Sequence, residues 1–176
     1  MTSSSAVPAD APSPAAPGQA AIYFLSEGFD TTGAKLMGRH VAGEEFLRGF
    51  ARYSSHEDIY CYTSTKPMFD DFTRRVDGFV QAENGQSFPT RRMHFVPFAN
   101  PTQIEKPGCL FLPGPGLGEY AWHRRRLGAK RYSLCGVTHT TASDGAVAGI
   151  AEDLTAPIQK WDALICTSSV VRKTVD

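Results

Sequence analysis

The chain has 176 residues, enough for one domain with a buried core. Apolar residues make up 41% and aromatic residues 11%, so most of it is expected to fold. The 18 Lys and Arg balance 18 Asp and Glu, a net charge of +0, which removes the whole-molecule basic footprint of a nucleic-acid binder. No run reaches the ~18 apolar residues of a membrane span. The N-terminus has neither a basic start nor an apolar stretch, so no secretory leader is read there. Together these features read as a cytoplasmic protein with no transmembrane segment.

Residues 1–19 are rich in Ala, Pro and Ser, with Asp10 the one charged side chain. Such a stretch cannot bury enough apolar surface to offset ordering entropy and is expected to be a disordered tail. The folded part is expected over 20–176. Residues 21–25 form a continuous apolar run, a short buried strand, and Gly28 stops it. A helix is expected over 35–53, with Phe46, Phe50 and Tyr53 on one side and Glu44, Glu45, Arg48 and Arg52 on the other. Gly38 and Gly43 weaken it and mark close packing or a kink. Strand two spans 59–63. Pro67 suits the first turn of a helix running to about Gly78. Strand three, 93–97, is short and edge-like, and strand four is 109–112. A helix over 117–127 ends at Gly128. Strand five is 132–137, and a helix over 144–154 must end before Pro157. Strand six is 163–166, and Ser168 caps a last helix from Ser169.

Strands without polar alternation, separated by amphipathic helices, predict an α/β fold. The expected architecture is a Rossmann-like, doubly wound, mostly parallel sheet with helices on both faces. The last helix has room for about two turns before Asp176, with no closing glycine, which reads as a longer protein cut short. The four cysteines, Cys61, Cys109, Cys135 and Cys166, are widely spaced with no C-x-x-C pair, so they read as reduced core residues. No metal cluster is read from the Cys and His spacing.

In an open α/β sheet, ligands sit at the carboxyl ends of the strands. After the first strand, Gly28, Phe29, Gly33 and Lys35 precede a helix, a setting that suits phosphate or carboxylate. It is neither G-x-G-x-x-G nor a P-loop. After the fifth strand, Thr138, His139, Thr140, Thr141 and Ser143 gather hydroxyls around an imidazole, good partners for a sugar ring and a possible proton carrier. A buried histidine with the hydroxyls capping the next helix is the structural alternative. Residues 113–118 read as a sharp turn into a helix, with a rigid, side-chain-poor backbone lining a cleft as the alternative. Arg74 and Arg75, Arg91 and Arg92, and Arg124 to Arg126 read as solvated faces, and His40, His56, His94 and His123 have no matched partner in sequence. No G-x-S-x-G elbow supports a serine hydrolase.

The segments Ile22-Tyr23-Phe24-Leu25-Ser26-Glu27-Gly28-Phe29-Asp30 and Leu36-Met37-Gly38-Arg39 form part of a pattern. Tyr132-Ser133-Leu134-Cys135-Gly136-Val137-Thr138-His139-Thr140 and Trp161-Asp162-Ala163-Leu164-Ile165-Cys166-Thr167-Ser168 complete it. Together they resemble the N-terminal domain of bacterial glycosyltransferases, family 4, of GT-B architecture. The resemblance covers residues 21–176. It implies one half of a two-domain enzyme in which this half receives the acceptor and a C-terminal half holds a nucleotide-sugar donor. It further implies transfer with retention and no metal or other cofactor. The acceptor it implies is a carbohydrate or lipid-linked molecule. The family's glycine loop maps onto Gly28 to Gly33, without the adjacent glycines common there. Its sugar-contacting histidine maps onto His139, the expected catalytic residue. Gly28, Phe29, Gly33, Lys35, Thr138, Thr140 and Ser143 are the expected substrate contacts. The family's basic pair and E-x7-E motif belong to the second domain, so the isolated chain is expected to be inactive. Two alternatives stand beside this reading. One is a non-catalytic binding module or truncated copy. The other, a nucleotide-dependent oxidoreductase, is disfavoured because Thr63-Ser64-Thr65 ends the second strand where a dinucleotide binder wants an acid.

Overall fold

A computed structural model describes residues 19–29, 38–81 and 86–175. The expected disordered tail lies outside these residues, apart from residue 19. Six strands form one all-parallel sheet in the order β3-β2-β1-β4-β5-β6. They are β1 Ala21–Tyr23, β2 Asp58–Thr63, β3 Arg92–Pro97, β4 Cys109–Leu112, β5 Ser133–Thr138 and β6 Ala163–Cys166. The helices are α1 Gly38–Tyr53, α2 Lys66–Phe79, α3 Gly118–Leu127, α4 Asp144–Asp153 and α5 Ser169–Val175. All six expected strands are present, and β3 is an edge strand as expected, although at six residues it is not short. This is a Rossmann-like α/β fold.

The period of two along each strand divides the core into two layers. On one face Ile22, Phe24, Ile59, Cys61, Phe111 and Val137 meet α1 and α2. Phe69, Phe72 and Val76 give α2 its buried stripe at steps of three and four. On the other face Ala21, Tyr62, Leu110, Leu112 and Leu134 meet Ala121 of α3 and Leu117, which precedes it. Local signals set the helix ends. The Thr65 hydroxyl accepts the Met68 amide at 3.4 Å, with Pro67 in the first turn. Gly128, at φ 128°, closes α3. Ser168 Oγ accepts the Val171 amide at 3.1 Å. At Gly43 an added Cβ would lie 3.3 Å from the Phe29 ring, so this glycine serves close packing.

β1 is shorter than its apolar run. It ends at Tyr23, although the Phe24 amide still donates to the Tyr62 carbonyl at 2.9 Å, and the chain then turns into a short 3-10 helix, Ser26–Phe29. A second 3-10 turn, Pro101–Glu105, makes the crossover from β3 to β4.

Two arginines expected on solvated faces are buried instead. Arg124 is 0% exposed and forms a bidentate pair with Asp162 at 2.5 and 2.7 Å. Asp162 also accepts the amides of Leu134 and Gln159, each at 2.8 Å. One carboxylate thus ties α3, β5 and the approach to β6 together. Arg91 donates to the carbonyls of Ala51, His56 and Arg52, closing the end of α1. His94, expected without a partner, meets Asp58 at 2.6 Å, and Asp58 takes Arg92 in two hydrogen bonds. Arg92 and His94 hold the Asp58 carboxyl far below the ordinary range. A run of charges in sequence says nothing of which member a distant carbonyl or carboxylate will claim.

Candidate functional site

β1 and β4 lie side by side at the centre of the sheet, and their connections leave in opposite directions. That divergence opens a crevice at the carboxyl edge. A hollow of about 300 Å3 occupies it, lined by Tyr23, Gly28, Leu112, Pro113, Gly114, Gly116 and Tyr120. The proline-glycine segment after β4 both turns the chain and lines the hollow, so its two readings hold together. It packs tightly on its other side. A Cβ on Gly136 would come within 2.7 Å of the Gly114 carbonyl oxygen, and Gly116 touches Gly149 of α4. The amide of Leu117, at the start of α3, donates to Asp153 of α4 at 2.8 Å. This helix start is already served by a carboxylate from the protein.

The loop after β5 stands beside this crevice. Thr138 is fully buried, and its carbonyl accepts the Thr167 hydroxyl at 2.9 Å. The Thr138 hydroxyl has no hydrogen-bond partner among the described residues. A buried hydroxyl without a partner is costly unless water or a ligand completes it. His139 is half-buried and borders a small apolar cavity of about 30 Å3 formed with Phe29, Gly43, Phe46, Phe111, Pro113 and Val137. Burial lowers the imidazole pKa from its ordinary value, favouring the neutral ring. A neutral ring offers one donor and one acceptor nitrogen.

The remaining expected contacts separate. Thr140 Oγ1 accepts the Ala142 amide at 3.0 Å, and Ser143 Oγ accepts the Ala146 amide at 3.3 Å. These two hydroxyls shape the loop and cap α4, as the structural alternative had it, and both residues are exposed. Gly28 is exposed at the rim of the hollow, and nothing lies within 4 Å of where its Cβ would be. Phe29 corrects the expectation of an open substrate contact. It is 2% exposed and stacks on Phe24 at 4.9 Å, while its carbonyl takes a hydrogen bond from Arg75 at 2.9 Å. An aromatic ring with a core to enter is worth more there than at a wet rim. Gly33 and Lys35 lie outside the described residues. Tyr23 and Tyr120 were missed in sequence, because a crevice between β1 and α3 leaves no local pattern.

At the end of β2, the Thr63 and Ser64 hydroxyls both turn onto the Met68 sulfur, at 3.6 and 3.2 Å. No carboxylate stands where a dinucleotide ribose would want one. Among the described residues, no three His, Cys, Asp or Glu converge as a metal-binding group. No described helix is long and apolar enough to cross a membrane.

No protein-family model matches the chain, and no curated protein matches it. One solved structure is similar, a protein from Parabacteroides merdae ATCC 43184 described as a candidate oxidoreductase. The identity is 14% and the TM-score 0.49, over 86% of this chain and 32% of that one. A likeness at that level carries no argument about activity. The strand order, the parallel register and the crevice between β1 and β4 make the chain a Rossmann-like α/β domain with its candidate site at the carboxyl edge of the sheet.

Proposed function

We propose that this chain is the acceptor-side domain of a retaining, metal-independent glycosyltransferase, one that moves a sugar from a nucleotide-sugar donor to an acceptor hydroxyl. The observation that carries the reading is the pair Thr138 and His139. A buried hydroxyl without a partner and a half-buried imidazole of lowered pKa sit together at the end of β5, beside the central crevice. A sugar ring supplies hydroxyls that the imidazole would bind. The resemblance to family 4 glycosyltransferases runs through the same two residues. In this reading His139 holds a hydroxyl of the transferred sugar, and the buried Thr138 anchors the end of β5 behind it. Gly28 leaves the rim open, and Thr140 and Ser143 fix the loop. The resemblance assigns the glycine loop, up to Gly33, to the donor phosphates and the acceptor, and Lys35 adds a positive charge to that stretch of sequence. Loss of the nucleoside diphosphate needs positive charge close to the departing oxygens. In these 176 residues no glutamate lies eight positions after another, so the donor-side motif is to be supplied by a second domain.

The test is transfer from a panel of nucleotide-sugars by a protein joining this domain to a donor-binding half. Transfer is expected there, with none above background from the isolated chain. His139→Ala is expected to lower kcat by about 100-fold. Robust transfer by the isolated chain overturns the division of labour, and saturable binding of a nicotinamide dinucleotide overturns the reading itself. A non-catalytic binding module is the second reading. It is favoured by the apolar side chains of Val147, Leu154, Ile165 and Val170, which stand 45% exposed or more. Self-association or partner capture with no sugar binding would select it.

A further inference from the structure

A larger hollow than the crevice beside His139 stands at the carboxyl edge. It lies on the α3 face of the sheet, over the ends of β1 and β2. It measures about 460 Å3 and is walled by Tyr23, Tyr62, Phe98 and Tyr120, with Glu119, His123 and Arg126 at its rim. That volume is within the range of small-molecule sites. Its origin is topological. Between β3 and β4 the chain crosses the sheet through the 3-10 turn Pro101–Glu105 rather than through a full helix, so aromatic side chains line this part of the face.

The rings brace one another. Tyr23 stacks on Phe98 with centroids 5.4 Å apart and planes 14° from parallel, and Tyr120 meets Tyr23 edge-on at 5.6 Å. Tyr62 tilts against Phe98 at 4.5 Å. A platform already in place loses little conformational freedom when a ligand settles on it. The rim has a different character. Glu119, His123 and Arg126 follow one another at steps of four and three, so they share one face of α3. His123 touches Tyr120 edge-on, and none of the three forms an ion pair with another described residue. The arginines between α1 and α2 differ in this respect. There Arg48, Arg74 and Arg75 are engaged by Glu44, Glu45 and Asp71.

We infer that this hollow binds a neutral pyranose ring, the sugar end of the acceptor. The C–H face of such a ring settles on the negative face of an aromatic. Its hydroxyl edge needs both acceptors and donors, which Glu119 and Arg126 provide, with His123 able to act as either. A phosphate group would meet the Glu119 carboxylate, and a quaternary ammonium would meet the Arg126 guanidinium. The name acceptor rests on the glycosyltransferase reading, whereas the preference for a sugar ring rests on the walls and rim of the hollow.

Saturation-transfer NMR on the 176-residue chain, with methyl glucoside, methyl mannoside and methyl galactoside as probes, tests this. At least one glycoside is expected to receive saturation, strongest at its ring C–H protons. Glu119→Gln and Arg126→Ala, both on the exposed rim, are each expected to weaken that binding about tenfold. Lys66→Ala, on α2 across the sheet, is expected to leave it unchanged. No transfer of saturation to any of the three glycosides overturns the inference, as does binding undiminished in both rim variants. The outcome is independent of turnover. Binding at the rim with no transfer from any nucleotide-sugar sustains the hollow and overturns only its description as an acceptor site.

Discussion

The two halves of the sheet are held by different physics. Around β1, β2 and β3 the work is done by apolar packing, with Phe24, Phe29, Phe69 and Phe72 in one continuous cluster under α1 and α2. Around β5 and β6 the helices contribute little of that kind. Neither α4 nor α5 has a buried residue, β6 alternates between exposed and half-buried positions, and Leu154 is 85% exposed. Beyond the apolar contacts of Leu134 and Val137, what holds this side is a set of polar contacts. Arg124 pairs with Asp162, Asp153 reaches the start of α3, and α4 touches the β4 loop through Gly116 and Gly149. Dispersion and the hydrophobic effect add up over many atoms and forgive small errors. A polar clamp concentrates the same job in a few groups, each costly to lose.

Breaking the clamp is expected to give the largest effect. Asp162→Ala leaves a buried guanidinium without its partner and strips the acceptor from two amides. A loss of about 3–5 kcal/mol in chemical denaturation is expected, at the upper end of what one buried pair costs. A smaller loss would show that α4 and β6 are already uncoupled from the rest. Gly136→Ala comes next. Its methyl would press on the Gly114 carbonyl and Leu117, so a loss of about 1–3 kcal/mol is expected. That variant also sharpens the site, because the displaced loop lines the central crevice.

Acid acts on the other half. Asp58 has its folded pKa held below its unfolded value by Arg92 and His94. The stability it contributes is therefore complete above the unfolded value near 4 and is lost as pH falls further towards the folded one. Asp58→Asn is expected to flatten the melting-temperature profile in that acid range and to leave its shape near neutrality unchanged. His139 carries the opposite kind of charge with a shift in the same direction. Burial disfavours its protonated form, so stability falls as pH drops from about 6.5 through the folded pKa, and His139→Ala is expected to remove that small slope. The smallest effect belongs to Leu154→Gln, expected within about 0.5 kcal/mol because the side chain is already in solvent.

Much of the fold was legible because the signals are local. An apolar run such as 109–112, four residues long between Pro107-Gly108 and Pro113-Gly114, reads as a strand from its length and flanks, and Ser168, Thr65 and Gly128 announce helix ends within a few residues of themselves. The candidate site was legible where the chain itself carries it, in the succession Thr138-His139 at the end of β5. It was not legible where distant segments meet. Phe29 was expected to contact substrate but lies in the core, because Gly43, on another element, leaves a bed for its ring. Tyr23, Phe98 and Tyr120 come from β1, from the end of β3 and from α3, and no spacing joins them. Asp162 offered one sign, a single acid placed just before an apolar strand, but its partner Arg124 lay within a run of three arginines that looked alike.

The central position of β1 also bears on the order in which the chain is built. Its pairing with β2 needs only the residues up to Tyr62, but its other side, against Leu110 and Phe111, waits for β4. A growing chain can therefore assemble β1, β2 and β3 with α1 and α2 as an early unit, and until β4 is made the future middle of the sheet is an open edge. Such an edge accepts any passing strand. Slowing synthesis just before Cys109 should thus raise misassembly more than the same delay after Thr138, when the centre is already sealed.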